Sequence, residues 1–125
     1  MSTSDAFGSV GLPVPIAAFV EAVNTGNADV LIATFADDAL VNDQLKEYWH
    51  KPAISEWVAR DVIPQHFAMQ VTGAVVNYDQ VVITARVTGD FDVRGLPNPL
   101  LLSFYFSLRA ECIVQLLILR NEPDD

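Results

Sequence analysis

The stretch PIAAFVEAVNTGNADVLIATFADDALVNDQ, from Pro15 to Gln44, predicts two helices followed by a strand. Its first part carries four apolar residues at helical spacing, which are Ile16, Phe19, Val20 and Val23. We expect this helix to end at Gly26, because glycine readily adopts a positive φ. Asn27 can cap a second helix from Ala28 to Ala36, and Ala39 to Asp43 then has the composition of a strand.

The remainder of the chain predicts a short hairpin arm, a third helix and four longer strands. Leu45–Trp49 forms the arm, and Pro52 opens the helix, which Pro64 ends or kinks. The four strands are rich in branched and aromatic residues, and they cover Val71–Asn77, Val81–Thr88, Leu100–Leu108 and Cys112–Leu119. Long antiparallel strands with the helices gathered before them are typical of an α+β domain.

The length of 125 residues fits a single domain. We expect residues 13–122 to form this domain and residues 1–12 to be a flexible arm, because the first residues are mostly small or polar. The net charge is -9, and seven Lys and Arg residues do not supply the basic surface that nucleic acid or anionic lipid needs. We therefore expect no nucleic acid and no membrane as a partner.

The cysteine and histidine content argues against disulfides and metal sites. Cys112 is the single cysteine, and the N-terminus lacks the basic and apolar regions of a secretory signal, so we expect a cytoplasmic protein. His50 and His66 are separated in sequence, and no cysteine pair accompanies them. Since the chain also lacks a glycine-rich phosphate loop, we expect neither a metal nor a cofactor.

Two of the predicted strands, Leu100–Leu108 and Cys112–Leu119 with its run IVQLLIL, are apolar on both faces. In PLLLSFYFSLR (Pro99–Arg109), alternate residues from Leu100 to Leu108 form one bulky apolar face, and the other face still carries Leu101 and Tyr105. Helices can cover one face of the sheet, whereas a face open to water should be polar. We therefore expect a homodimer that packs through the sheet.

The order of elements resembles the nuclear transport factor 2-like superfamily, and the first half resembles its SnoaL-like polyketide cyclases and ketosteroid isomerases. The shared pattern is a helix ending in Asn-x-Gly, a helix ending in Phe-Ala-Asp-Asp, a strand reaching Asp, and an aromatic residue in PAISEWVARDVI (Pro52–Ile63). The resemblance implies a cone-shaped, cystatin-like fold, in which a curved antiparallel sheet wraps around a long helix. It implies less about function, because this fold hosts enzymes, binding modules and transport factors.

The resemblance implies a catalytic role for Asp43, because the general base of ketosteroid isomerase is an aspartate at the end of the first strand. That enzyme also uses two oxyanion donors, and the matching positions here hold Phe19 and Leu102, which cannot donate a hydrogen bond. Loss of one such donor typically costs about 10²–10³ in rate. We therefore do not expect true ketosteroid isomerase activity.

Side chains alternate between the two faces of a strand, so Asp43 faces the interior if Val41 does. An apolar cavity would then raise the pKa of Asp43. A place in a polar turn is the alternative. Asp37 and Asp38 are expected at a solvated helix exit. His66 is a candidate second acid or base, or else a partly exposed structural residue.

An apolar cavity is expected within the cone, lined by Phe19, Phe35, Val41, Trp57, Leu102, Phe104 and Phe106. Arg60 and Asp61, on the third helix, are expected to form a surface ion pair.

Three functions remain open. The first is an isomerase or cyclase in which Asp43 moves a proton on a small, mostly apolar carbonyl or polyketide-like substrate. The second is a non-catalytic module that binds a small apolar molecule. The third is an interaction protein that uses the fold as a dimer scaffold.

Overall fold

The computed structural model describes residues 11–90 and 100–120. Its helices are α1 (Val14–Thr25), α2 (Ala28–Ala33) and α3 (His50–Trp57), and α3 continues into a π-helical turn (Val58–Val62). Its strands are β1 (Phe35–Asp43), β2 (Lys46–Trp49), β3 (Ala68–Asn77), β4 (Gln80–Thr88), β5 (Leu101–Arg109) and β6 (Cys112–Arg120). The α+β class predicted from the sequence is confirmed.

The first two helices begin and end where local sequence predicts. α1 ends at Gly26, whose φ of 69° lies in the left-handed region. The Asn27 side chain accepts a hydrogen bond from the Val30 backbone amide and caps α2. These two residues connect the helices without further linker, so α1 and α2 pack closely together.

The strands form a curved six-stranded sheet in the order β2-β1-β6-β5-β4-β3. Neighbouring strands are antiparallel except β1 and β6, which run parallel. The sheet is therefore mixed, whereas the sequence predicted a wholly antiparallel sheet. The reason is topological, because the chain leaves β1, builds the other edge of the sheet and returns to lie beside β1 in the same direction. This return places β1 between β2 and β6, so that both of its sides are paired.

The helices cover one face of the sheet and bury its aromatic residues. The Phe19 ring of α1 meets the rings of Phe35, Phe104 and Phe106 edge-on, with centroid distances of 6.1, 6.3 and 5.2 Å. Edge-to-face contacts of this kind add about 0.5–1.5 kcal/mol each beyond the apolar area buried. The four rings therefore fix α1 against the sheet.

The strand β1 begins earlier than the sequence predicts. α2 ends at Ala33, and Asp37 and Asp38 lie within β1 rather than at a helix exit. The register with β6 shifts in this part of β1, and both acids are exposed. Asp37 lies 3.6 Å from Lys51 and Asp38 lies 3.0 Å from Arg109, so both form ion pairs at the surface.

The start of α3 also differs from the expectation, whereas the predicted N-terminal arm is not tested. α3 begins at His50, two residues before Pro52. The predicted N-terminal arm falls mostly on residues 1–10, which lie outside the described residues, but Leu12 packs against the core. The core residues of the described chain thus extend almost to the first described position.

Candidate functional site

A cavity of about 60 Å³ lies between the helices and one end of the sheet. Its walls are almost entirely apolar, and they come from α1, the end of α3 with its π-helical turn, the end of β1, and strands β3 to β6 with the residue before β3. The lining residues are Phe19, Val23, Asp43, Trp57, Val62, Phe67, Met69, Val87, Leu102, Phe104 and Ile118. Of the described residues that line the cavity, Asp43 alone carries a charged group.

Asp43 forms the polar end of the cavity. It is the last residue of β1, where it pairs with Lys46 on β2 and with Ile118 on β6. Val41, two residues earlier, is completely buried, so alternation along β1 turns Asp43 to the same interior face. The Trp57 Nε1–H group donates a hydrogen bond of 3.1 Å to Asp43 Oδ2.

The surroundings of Asp43 oppose its ionisation. Burial raises the pKa of its carboxyl group above the ordinary value of 3.8, and the nearby Asp61 carboxylate raises it further. The hydrogen bonds from the Trp57 and Gln44 side chains and the charge of Lys46 lower the pKa. Since burial is the largest of these effects, the net pKa lies above that of an exposed aspartate.

Asp61 brings a second carboxylate to this end of the cavity. It lies in the π-helical turn, where Oδ2 accepts a hydrogen bond of 3.2 Å from the Tyr48 hydroxyl and Oδ1 lies 3.5 Å from Arg60 Nε. The expected Arg60–Asp61 ion pair is confirmed. Burial, together with the Asp61 carboxylate, raises the Tyr48 pKa above 10.0, so Tyr48 keeps its proton and remains a donor.

The aromatic rings link these two acids. The Tyr48 ring lies 6.0 Å from the Trp57 ring, while Trp57 donates to Asp43 and Tyr48 donates to Asp61. Tyr48 therefore supports the wall behind Trp57. The neighbouring Trp49 is exposed, and its Nε1–H group donates a hydrogen bond to Glu47.

Four of the seven expected apolar lining residues, together with Asp43, lie around the cavity. These four are Phe19, Trp57, Leu102 and Phe104. The other three, Phe35, Val41 and Phe106, are buried in the aromatic and aliphatic core and do not line the cavity. The two positions that correspond to oxyanion donors, Phe19 and Leu102, both face the cavity as apolar side chains.

The structure places His66 outside the cavity. Its side chain is 75% exposed, and Nδ1 lies 2.6 Å from the Asp90 carboxylate. This pair joins the turn after α3 to the end of β4, next to Phe67. Of these two candidate acid–base residues, Asp43 lines the cavity and His66 does not.

Sequence reasoning missed six lining residues, namely Val23, Val62, Phe67, Met69, Val87 and Ile118. Val23 and Val62 belong to the apolar stripes of their helices, and Met69 and Val87 face each other across β3 and β4. These signals mark inward-facing positions. They do not show which end of the sheet holds the cavity.

Metal binding and membrane insertion find no support in residues 11–90 and 100–120. No three His, Cys, Asp or Glu side chains converge there to hold a metal ion. No helix in these ranges is both long and apolar enough to cross a membrane.

The raised pKa of Asp43 predicts a pH-dependent contribution to stability. The folded state holds the Asp43 proton more tightly than the unfolded state, so this contribution is complete below the ordinary value of 3.8. It is lost as the pH rises through the higher folded-state pKa. Asp43→Asn removes the titrating group, so the free energy of unfolding of wild type relative to this variant should decrease from acidic to neutral pH.

Urea denaturation of both proteins over this pH range measures the difference directly. Asp37→Asn removes one exposed carboxylate from the same strand and serves as the matched control. If the free energy of unfolding of wild type relative to Asp43→Asn increased with pH, the pKa of Asp43 could not be raised in the folded state.

Comparisons with known proteins agree with this architecture. The model of the SnoaL-like domain family matches residues 16–112. A proposed polyketide cyclase from Sinorhizobium meliloti is 26% identical, and the match covers 90% of this chain and 100% of that chain with a TM-score of 0.80. No curated protein sequence matches this chain.

Two other solved structures share the fold and contain small organic molecules. A protein from Catenulispora acidiphila with a ketosteroid isomerase-like fold, in complex with trimethylamine, is 24% identical, with 86% of this chain and 85% of that chain covered and a TM-score of 0.71. The Orange Carotenoid Protein of Anabaena, binding canthaxanthin, is 18% identical, with 86% of this chain and 35% of that chain covered and a TM-score of 0.72. Because the family model spans most of the chain and the folds agree, this protein belongs to the SnoaL-like domain family of the nuclear transport factor 2-like superfamily.

Proposed function

We propose that this protein binds a small, mostly apolar molecule in the cavity, with the one polar group of that molecule held against Asp43. The observation that carries the proposal is the contrast in the lining, where a single partly buried carboxyl group faces apolar side chains. Apolar walls with a few placed polar groups are typical of small-molecule sites. Contacts with the apolar walls would give the ligand its affinity, and Asp43 would orient its polar group.

The size of the cavity limits the ligand. A cavity of ~150 Å³ accepts benzene, whereas this one measures about 60 Å³. The volume therefore favours a molecule of a few non-hydrogen atoms over a polyketide-sized one. Among ketones and amines, only the smallest come near this limit.

The solved relatives support small-molecule binding by this fold. One is in complex with trimethylamine and another binds canthaxanthin. Native mass spectrometry of the purified protein tests the proposal, with release of any bound molecule and its identification. We expect added 2-butanone to occupy one site per chain at millimolar concentration. Absence of both a co-purified molecule and 2-butanone binding would refute the proposal.

Acid–base catalysis by Asp43 on a small carbonyl compound is a second candidate. The specific observation in its favour is the raised pKa of Asp43, since a general base works best with a pKa near the working pH. An enolate would require stabilisation by water, because Phe19 and Leu102 cannot donate hydrogen bonds to it. The carboxylate would remove a proton from the carbon next to the carbonyl group, which gives an enolate and the protonated Asp43, and the acid would return the proton to that carbon or, in a β,γ-unsaturated ketone, to the γ-carbon.

Deuterium exchange tests this candidate without knowledge of the natural substrate. We expect the wild-type protein to accelerate exchange of the α-protons of 2-butanone in D₂O, measured by proton NMR. Asp43→Asn should lose about 10²–10⁴ of that acceleration. Equal exchange rates for the two proteins would exclude Asp43 as the base and leave binding as the function.

A homodimer through the uncovered sheet face forms part of the proposal. Val75, Val82, Tyr105 and Leu117 are adjacent in register across β3, β4, β5 and β6, and we call them the outer row. Val75 is 67% exposed and Tyr105 is 41% exposed. Since the outer row carries no charge, two chains of net charge -9 can approach here without direct repulsion.

Sedimentation velocity at micromolar concentration measures the assembly. We expect a dimer for the wild type and a folded monomer for Tyr105→Glu, because a carboxylate in the outer row would lose its hydration at the interface. Circular dichroism should show that the variant keeps its fold. A wild-type monomer would contradict this assembly.

A further inference from the structure

We propose that the cavity prefers a small alkylammonium ion over a neutral molecule of the same size. The inference rests on the binding site proposed above and specifies its ligand class. It depends on three features of the described residues, which are a carboxylate that no cation contacts directly, aromatic walls and small volume.

The first feature is negative charge without a buried partner. Asp43 lines the cavity, and the nearby Asp61 carboxylate adds negative charge close to it, since it raises the pKa of Asp43. Arg60 contacts Asp61 but points outward with a largely exposed side chain, and Lys46 is also exposed. Asp43 receives hydrogen bonds from neutral side chains, but no cation contacts it within the described residues. A buried carboxylate of this kind is costly unless a positive charge approaches it.

The second feature is the aromatic lining. Phe19, Trp57, Phe67 and Phe104 contribute rings to a cavity with eleven lining residues. Aromatic rings attract ammonium groups through their π-electrons, and cages of such rings recognise methylated ammonium ions. Leucine or valine walls would give the same apolar surface without this preference. The rings and the carboxylate together favour a cation with an apolar exterior.

The third feature is the size of the cavity. At about 60 Å³ it excludes bulky cations and favours the most compact alkylammonium ions. The single N–H group of trimethylammonium can donate to the Asp43 carboxylate while its methyl groups contact the rings. The net charge of -9 raises the local concentration of such cations around the protein. All three features thus favour a small alkylammonium ion over a neutral molecule.

A comparison of two probes of similar size tests the inference. NMR titrations near neutral pH measure the dissociation constants of trimethylammonium and tert-butanol for wild type, Asp43→Asn and Asp37→Asn. We expect wild type and the Asp37→Asn control to bind trimethylammonium at least ten times more tightly than tert-butanol. Asp43→Asn should abolish the preference while it still binds tert-butanol.

The aromatic contribution requires its own variant. Phe104→Leu keeps an apolar wall but removes one ring, so it should weaken trimethylammonium binding several-fold and change tert-butanol binding little. This result separates cation recognition from general apolar contact, because a merely enlarged cavity would affect both probes alike.

The outcomes distinguish this inference from the proposed function. If tert-butanol binds in the cavity as tightly as trimethylammonium, the cation preference is wrong and small-molecule binding stands. If neither probe binds, both proposals fail. A preference for trimethylammonium that persists in Asp43→Asn would also overturn the inference, because the charge would then act from elsewhere.

Discussion

Phe106→Ala should lower the free energy of unfolding by about 3–5 kcal/mol. Phe106 is 1% exposed, and its ring lies 5.2 Å from the Phe19 ring and 6.4 Å from the Phe104 ring. Removal of the ring leaves a void between α1 and β5 in a region that the sheet holds rigid. The loss therefore includes both the transfer free energy of the ring and the free energy of the new cavity.

Urea denaturation at neutral pH measures this change. Tyr78→Ala is the control, because the Tyr78 side chain is 95% exposed and its loss should change the free energy of unfolding by less than about 0.5 kcal/mol. A loss below about 1 kcal/mol for Phe106→Ala would show that the four-ring cluster does not hold α1 against the sheet.

Val87→Phe should weaken ligand binding at least tenfold. Val87 lies on β4 opposite Met69, and both residues line the cavity. The added ring would enter a space of about 60 Å³ and exclude a ligand from it. Overpacking of this kind typically costs about 1–3 kcal/mol of stability, so the variant should still fold.

Binding of 2-butanone, followed by NMR, measures the effect. Val82→Phe is the matched control, because Val82 lies on the same strand but in the outer row, and its substitution should leave binding unchanged. Val87→Leu provides a milder change if the phenylalanine variant fails to fold. Unchanged binding in a folded Val87→Phe protein would place the ligand outside the cavity.

The sequence predicted the helices and strands well because their signals are local. Gly26 and Asn27 determine the junction between α1 and α2 by their own conformation and hydrogen bonding, and alternation with Val41 turns Asp43 inward. The parallel pairing of β1 with β6 was not predicted, because periodicity indicates which face of a strand is buried but not its neighbour.

The position of the cavity depends on long-range packing. Leu102, Phe104 and Phe106 alternate on one face of β5, yet only the first two line the cavity. The rings of Phe19 and Phe35 fill the space near Phe106, so the void lies toward the other end of the strand. Spacing within β5 cannot reveal this difference.

The contacts of the polar groups also depend on tertiary structure. Trp57 is fourteen residues from Asp43 in sequence, and its hydrogen bond to that carboxyl group exists because α3 packs on β1. Asp61, expected only as a surface partner of Arg60, also accepts a hydrogen bond from Tyr48. His66 follows Pro64 as expected, but its direction is determined by Asp90 at the end of β4.

The central claim is that a small molecule with one polar group occupies the cavity against Asp43. Isotope-filtered NOE spectra of ¹³C-labelled protein with unlabelled 2-butanone test this claim most directly, because they identify the protein protons that contact the ligand. We predict NOEs from the ligand to the methyl groups of Met69, Val87 and Ile118. NOEs confined to the outer row, or none at saturating ligand, would contradict the claim.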